Sequence, residues 1–256
     1  MHRALRALAR RLLGVRRTPA YYLPWITRPG LECALVLHNV EARFKPGWNE
    51  GPFELTAEQY GADGRLVARQ RATVRDSTDA VELPLTAPRE GCGFVVVRGE
   101  RLHSDLYVCL FDGRTSTMTH GRGEFIERYP PRTRALLALL GGLAALAGRT
   151  LPAFARDQFV YSGTESRSHV LLLNLADVPN RIRVDVTRDG APLGARLVRL
   201  PPCGAHLLHL ADVAAPPARG TDVWRLRLTG NAWFNLYLVG AGREDLAGPL
   251  SLMHVK

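Results

Sequence analysis

The sequence predicts a mainly β protein made of two tandem, duplicated antiparallel β-sandwiches, each preceded by a short α-helix. Three observations predict it. First, the chain reads as one unit written twice: Arg3-Ala4-Leu5 is answered by Arg134-Ala135-Leu136, and Leu35-Val36-Leu37-His38-Asn39 by Leu171-Leu172-Leu173-Asn174. Asp105-Leu106-Tyr107-Val108 is answered by Asn235-Leu236-Tyr237-Leu238, and Ser116, Met118 and His120 by Ser251, Met253 and His254. The offsets run from 130 to 135, close to half of 256 residues, so the repeating unit is a whole domain. Second, long stretches alternate apolar and polar residues with period two, as in Ile182, Val184 and Val186 or Trp224, Leu226 and Leu228. Third, Ala62-Asp63-Gly64 and Arg188-Asp189-Gly190 are turn signals at matching points of the two halves.

The elements follow in order. Residues 3–17 are expected to form a basic amphipathic helix, with Leu5, Leu8, Leu12 and Val15 on one face and Arg3, Arg6, Arg10 and Arg17 on the other; Pro19 ends it. Strands are expected near 32–40, 53–60, 65–75, 80–85, 93–99, 104–111 and 115–120. The segment 135–148 carries no charge and reads as a second helix, bracketed by Pro131 and Pro152. At 1.5 Å per residue it spans about 21 Å, short of a bilayer core of roughly 30 Å, and a helix apolar all round is normally buried. A second set of strands is expected near 168–175, 181–188, 192–200, 205–210, 222–228, 233–240 and 249–255. The domain expectation is a helix at 1–19, a first sandwich at 20–128, a linker and apolar helix at 129–157, and a second sandwich at 158–256.

Composition narrows the function classes. Apolar residues make up 46% and charged residues 23%, as in an ordinary globular chain. The net charge of +10 favours anionic partners, but residues 1–17 alone hold six arginines and no acid. Only Lys45 and Lys256 are lysines, a bias expected of a GC-rich genome and, alternatively, of a surface selected to bind phosphate. Cys33, Cys92, Cys109 and Cys203 form no C-x-x-C pair and do not recur between the halves, which argues against a disulfide framework or a zinc site and for a reducing compartment. No apolar run has transmembrane length, and Arg6, Arg10 and Arg11 interrupt any signal-peptide core.

Each half ends with a carboxylate, an arginine and a histidine: Asp112, Arg114 and His120 in the first, Arg243, Asp245 and His254 in the second. Such a trio is able to bind an acidic group through arginine and to move a proton through histidine; a solvated turn gives the same residues. His206 and His209 are three apart, which puts them on opposite faces of a strand, so no metal ligation is expected. Walker, G-x-S-x-G, H-E-x-x-H and dinucleotide motifs are absent from the sequence, and no cofactor is expected. The loop 43–52, with Lys45 and Trp48 at its tip, has only Ala176-Asp177-Val178-Pro179-Asn180 as its counterpart. It is a candidate for stacking on a sugar or filling a partner's pocket.

The second half resembles the sensory rhodopsin transducer family. The residues that carry the likeness are His169-Val170-Leu171-Leu172-Leu173-Asn174, Arg181-Ile182-Arg183-Val184, Ala191-Pro192-Leu193-Gly194, Leu200-Pro201-Pro202, Gly242-Arg243-Glu244-Asp245 and Pro249-Leu250-Ser251. The resemblance implies a small β-sandwich with an interaction role.

The resulting expectation is a non-enzymatic structural, adaptor or ligand-binding protein of the cytoplasm, peripheral on the inner membrane face. Arg3, Arg6, Arg10, Leu5, Leu8, Leu12, Leu136, Leu139 and Leu143 would contact a protein partner, a second copy or an anionic membrane. Trp48, Lys45, Arg114, His120, Arg243 and His254 would bind a small acidic or sugar ligand. Nucleic acid is not expected, because the arginines lack interleaved aromatics. The alternative is a carbohydrate-active or other small-substrate enzyme, with His120 or His254 as acid–base.

Overall fold

The run Phe94-Val95-Val96-Val97 is buried at every residue, which a strand achieves only when both faces of its sheet are covered. The fold is organised around that double burial. A computed structural model describes residues 11–38, 44, 52–76, 79–87, 90–99, 106–147, 150–164, 166–242, 246 and 250–254. The first half of the chain forms β1 (Arg16–Thr27), β2 (Glu32–His38), β3 (Phe53–Tyr60), β4 (Leu66–Val74), β5 (Ala80–Pro84), β6 (Gly91–Gly99), β7 (Leu106–Phe111), β8 (Ser116–His120) and β9 (Arg122–Arg128). Helix α1 (Pro131–Leu146) follows. The second half forms β10 (Phe154–Gly163), β11 (Arg167–Asn174), β12 (Asn180–Arg188), β13 (Ala191–Leu200), β14 (Ala205–His209), β15 (Thr221–Gly230), β16 (Phe234–Ala241) and β17 (Ser251–His254).

The strands pair into four sheets. Sheet I has the order β4-β3-β6-β1-β9 and sheet II the order β5-β2-β7-β8. Sheet III runs β13-β12-β15-β10 and sheet IV runs β14-β11-β16-β17. Every named pairing is antiparallel. The order in sheets III and IV is that of I and II with each strand number raised by nine; only β9 has no counterpart. Register agrees in detail, since Tyr107 faces His120 in one half and Tyr237 faces His254 in the other. The same register sets Met118 opposite Cys109 and Leu252 opposite Val239, so Met118 corresponds to Leu252 rather than to Met253.

The layers follow from alternation. On β11, Val170 and Leu172 join a core with Ile182, Leu226 and Leu236, between sheets III and IV. The intervening Leu171 and Leu173 join the other core, with Leu23, Leu35 and Val97. Sheet IV is thus covered on one side by its own sandwich partner and on the other by sheet I. Tyr22 and Tyr237 meet edge to face across that junction, at 6.4 Å between ring centres, and Tyr22 also takes a hydrogen bond from Asn235. The turn after β3 docks on the second half as well: the Ala205 amide donates to the Ala62 carbonyl at 3.1 Å.

The expected second-half strands all form, and the sequence reading missed three others, β1, β9 and β10. Strand β1 carries two prolines, which read as breakers. Its first part pairs only with β9 and its last part only with β6. Pro19 and Pro24 each fall where one side of the strand is unpaired, so neither leaves a broken ladder bond. The expected helix to residue 17 is corrected accordingly. Helical structure ends at Leu12, Gly14 turns the chain at φ 64°, and Arg16 and Arg17 already belong to β1. Arg17 lies opposite Glu127 in the β1–β9 register and bonds it from the surface, as described below.

Candidate functional site

Helix α1 begins at Pro131, whose missing N–H costs nothing at a first helical position. Its straight-chain and small residues sustain it through two glycines. Three links hold it to the body. The Thr133 hydroxyl donates to the Leu13 carbonyl at 2.8 Å, Arg181 donates to the Gly141 carbonyl at 2.8 Å, and Arg134 bonds Asp177. Leu137 packs against the small cluster of Tyr129, Ala176, Val178 and Ala232. Thr133 is buried and Leu137, Gly141, Gly142 and Ala144 are half-buried, which places one face of the helix on the body.

The leucines lie elsewhere. Leu136, Leu139, Leu140, Leu143 and Leu146 recur at helical spacing and are between 39% and 88% exposed. Helix α1 thus turns five of its six leucines outward and its threonine and glycines toward the body, the reverse of an ordinary surface helix. The expectation that this apolar helix is buried is corrected here: the bonds from Thr133, Arg134 and Arg181 fix the face with few apolar side chains against the protein. Leu12, just before the chain enters β1, is also exposed.

Arginines surround the helix start. Arg11, Arg16, Arg128 and Arg132 are exposed. Arg16 and Arg128 flank a cavity of about 350 Å³ together with Gly14, Tyr129, Pro130 and Pro131. The helix itself contains no acidic residue. The arrangement has an apolar stripe with cations at one end, and it suits an apolar surface bordered by negative charge. No described helix is long and apolar enough to cross a membrane.

The paired histidines are arranged differently from the sequence expectation. Asp112 and Arg114 sit in the β7–β8 hairpin, whereas His120 lies at the far end of β8. Asp112 accepts from the Thr115 and Arg114 amides at 2.6 Å and 2.9 Å, which holds its carboxyl below the ordinary carboxylate value. It is a turn-forming residue, and the trio Asp112, Arg114 and His120 is not assembled. His120 instead meets His254, its counterpart in the other half, with ring centres 5.0 Å apart, beside Tyr237. Strands β8 and β17 run next to each other there, and the Leu252 amide donates to the Thr117 hydroxyl at 3.1 Å. Neither histidine lines a described cavity. His206 and His209 face opposite sides of β14, as their spacing requires, and His209 meets His169 edge to face at 4.7 Å between ring centres.

Arg3, Arg6, Arg10, Leu5, Leu8, Lys45, Trp48, Arg243 and Asp245 lie outside the described residues. Sequence reasoning missed Leu140, Leu146, Arg16 and Arg128 at the helix site, although 135–148 was singled out as uncharged. It also missed a cavity of about 630 Å³ on sheet II, lined by Glu32, Cys33, Glu82, Cys109, Phe111 and Ser116 among others. All four cysteines are free thiols, and burial pushes Cys33 up to about 12 and Cys92 up to about 11. Among the described residues, no group of three or more His, Cys, Asp or Glu is placed to hold a metal ion. No protein-family model, curated protein or solved structure matches the chain.

Proposed function

We propose that this chain is a duplicated β-sandwich that acts without catalysis as an adaptor attached to an anionic membrane surface. Its attachment element is α1. The observation that carries this reading is the stripe Leu136, Leu139, Leu140, Leu143 and Leu146 facing away from the body. Burying a leucine side chain fully is worth about 1.5–3 kcal/mol, so five half-exposed ones supply enough for reversible binding. Arg11, Arg16, Arg128 and Arg132 favour phosphate-bearing headgroups, each by about 1 kcal/mol near such a surface. A helix of 16 residues, about 24 Å long, lies in the interface rather than across it. Duplication is supported by the identical strand order of the two sheet pairs and by the matching Tyr–His register. The interaction role implied by the transducer-family resemblance agrees with it, and the free thiols agree with the cytoplasmic side of an inner membrane.

Vesicle co-sedimentation tests the reading. The protein should pellet with vesicles holding about 30% phosphatidylglycerol and remain largely in solution with pure phosphatidylcholine. Equal recovery in the supernatant of both would overturn it.

A further inference from the structure

The junction inside the chain joins unlike faces. Sheet I is equivalent to sheet III by strand order, and sheet II to sheet IV, yet the faces in contact are those of I and IV. A contact of this heterologous kind leaves one unused face of each type, here on III and on II. The alternation of burial along the strands identifies what those faces present. On sheet III, Arg183, Arg199, Arg225 and Arg227 point outward; Asp185 pairs with Arg183 at 2.8 Å and Asp157 with Arg225 at 2.9 Å, which leaves these four arginines two charges in excess of the acids among them. On sheet II, Glu32 and Glu82 point outward, and no lysine or arginine does so among the described residues.

Register shows which residues would meet. Within the chain, the Cys92 thiol lies at the Leu207 backbone, with Phe94 next along the same face of β6. Leu207 pairs with Leu171 as Glu82 pairs with Val36, and each of those β2 and β11 residues faces a tyrosine, Tyr107 or Tyr237. Glu82 is therefore the counterpart of Leu207. The register shifts once in β3, between Gln59 and Tyr60, and once in β12, between Val186 and Thr187, which aligns Tyr60 with Thr187; Tyr60 pairs with Phe94 and Thr187 with Arg225, so Arg225 is the counterpart of Phe94. Inside the chain Leu207 lies at Cys92 with Phe94 two residues further along the same face; the matching places on the free faces hold Glu82, Val223 and Arg225, so Glu82 falls one side-chain step from Arg225.

We propose that the outer face of sheet III binds the outer face of sheet II of a second copy of this chain, head to tail, in the geometry already used between sheets I and IV. Glu82 of one copy then lies one side-chain step from Arg225 of the next. Exposed apolar residues add to the contact, Phe159 and Val223 on one face and Phe111 and Met118 on the other. A four-stranded face is small, so the contact belongs to the weak, charge-steered class and weakens with salt.

Sedimentation velocity in lipid-free, low-salt buffer tests this. The Leu139→Glu/Leu143→Glu background removes association through α1, so failure here is distinguishable from failure of the membrane reading. In that background the protein should show open-ended association that rises with concentration and is lost at about 0.5 M salt. Adding Glu82→Arg or Arg225→Glu should each abolish association by itself. An equimolar mixture of those two variants should associate again, because the native faces left on each are complementary and the two reversed faces carry opposite charges to one another. Monomers at every concentration, association indifferent to both substitutions, or no association in the mixture would overturn the proposal.

Discussion

Phe94 and Arg225 occupy the same place in two sheets of the same strand order, one under a neighbouring sheet and the other in solvent. Their difference records which face of each half is covered. Phe94→Arg would place a charge among Tyr60, Pro24 and sheet IV with no acid positioned to receive it except the occupied Glu58. It should cost about 3–5 kcal/mol, against less than about 1 kcal/mol for Arg225→Ala. Urea denaturation of both variants measures the contrast.

Gly64 and Gly190 close equivalent turns at φ 77° and 83°, a region where a side chain is strained in either case. Only Gly64 is also crowded, since a β-carbon there would come within 1.9 Å of the Pro202 carbonyl oxygen, while Gly190 faces open space. Gly64→Ala should therefore destabilise the protein more than Gly190→Ala and loosen the contact between the halves. Comparing the two melting temperatures, with limited proteolysis at 201–205, checks both effects.

Glu127 is wholly buried and takes Arg17 through one oxygen, at 2.9 and 3.1 Å, and the Tyr129 hydroxyl through the other at 2.6 Å. Its backbone bridges to Leu175 and Asp177 of the second half. Arg17→Met strands the buried carboxylate and should cost about 3–5 kcal/mol. The double variant Arg17→Met/Glu127→Met should recover much of that loss, as equilibrium unfolding will show.

Glu58 gives the fold a pH dependence. Burial opposes its ionisation, but hydrogen bonds from Arg98 and Arg69 outweigh that and hold the carboxyl below its ordinary value of 4.5. A carboxyl depressed in the folded state stabilises the protein above its unfolded value and loses that contribution as pH falls through the folded one. The stability gap between the native chain and Glu58→Gln should accordingly be full near pH 7 and close progressively below about pH 4.5. Urea midpoints at a series of pH values measure it.

The strands that alternate cleanly, such as β12 and β15, were legible because one face of sheet III is wet. Strands β6 and β11 were legible too, as short apolar runs, but what covered their second faces was not, since burial by another sheet leaves no periodicity. β1 was hidden by prolines whose harmlessness depends on pairing partners 70 and 106 residues away, Phe94 and Phe125. The site was half legible. An uncharged segment announced α1, yet its outward rotation is set by Arg181, Asp177 and Leu13, none of which is near it in sequence. The meeting of His120 with His254 likewise depends on how the halves pack, which no motif encodes.

The outward leucines of α1 are the centre of the account, and vesicle binding by Leu139→Glu/Leu143→Glu tests them most directly. Both side chains already face solvent, so the variant should melt within about 0.5 kcal/mol of the native chain. Removing two leucines from the lipid contact should lower affinity for anionic vesicles by about a hundredfold or more. A stable, folded double variant that binds those vesicles as well as the native chain would contradict the account.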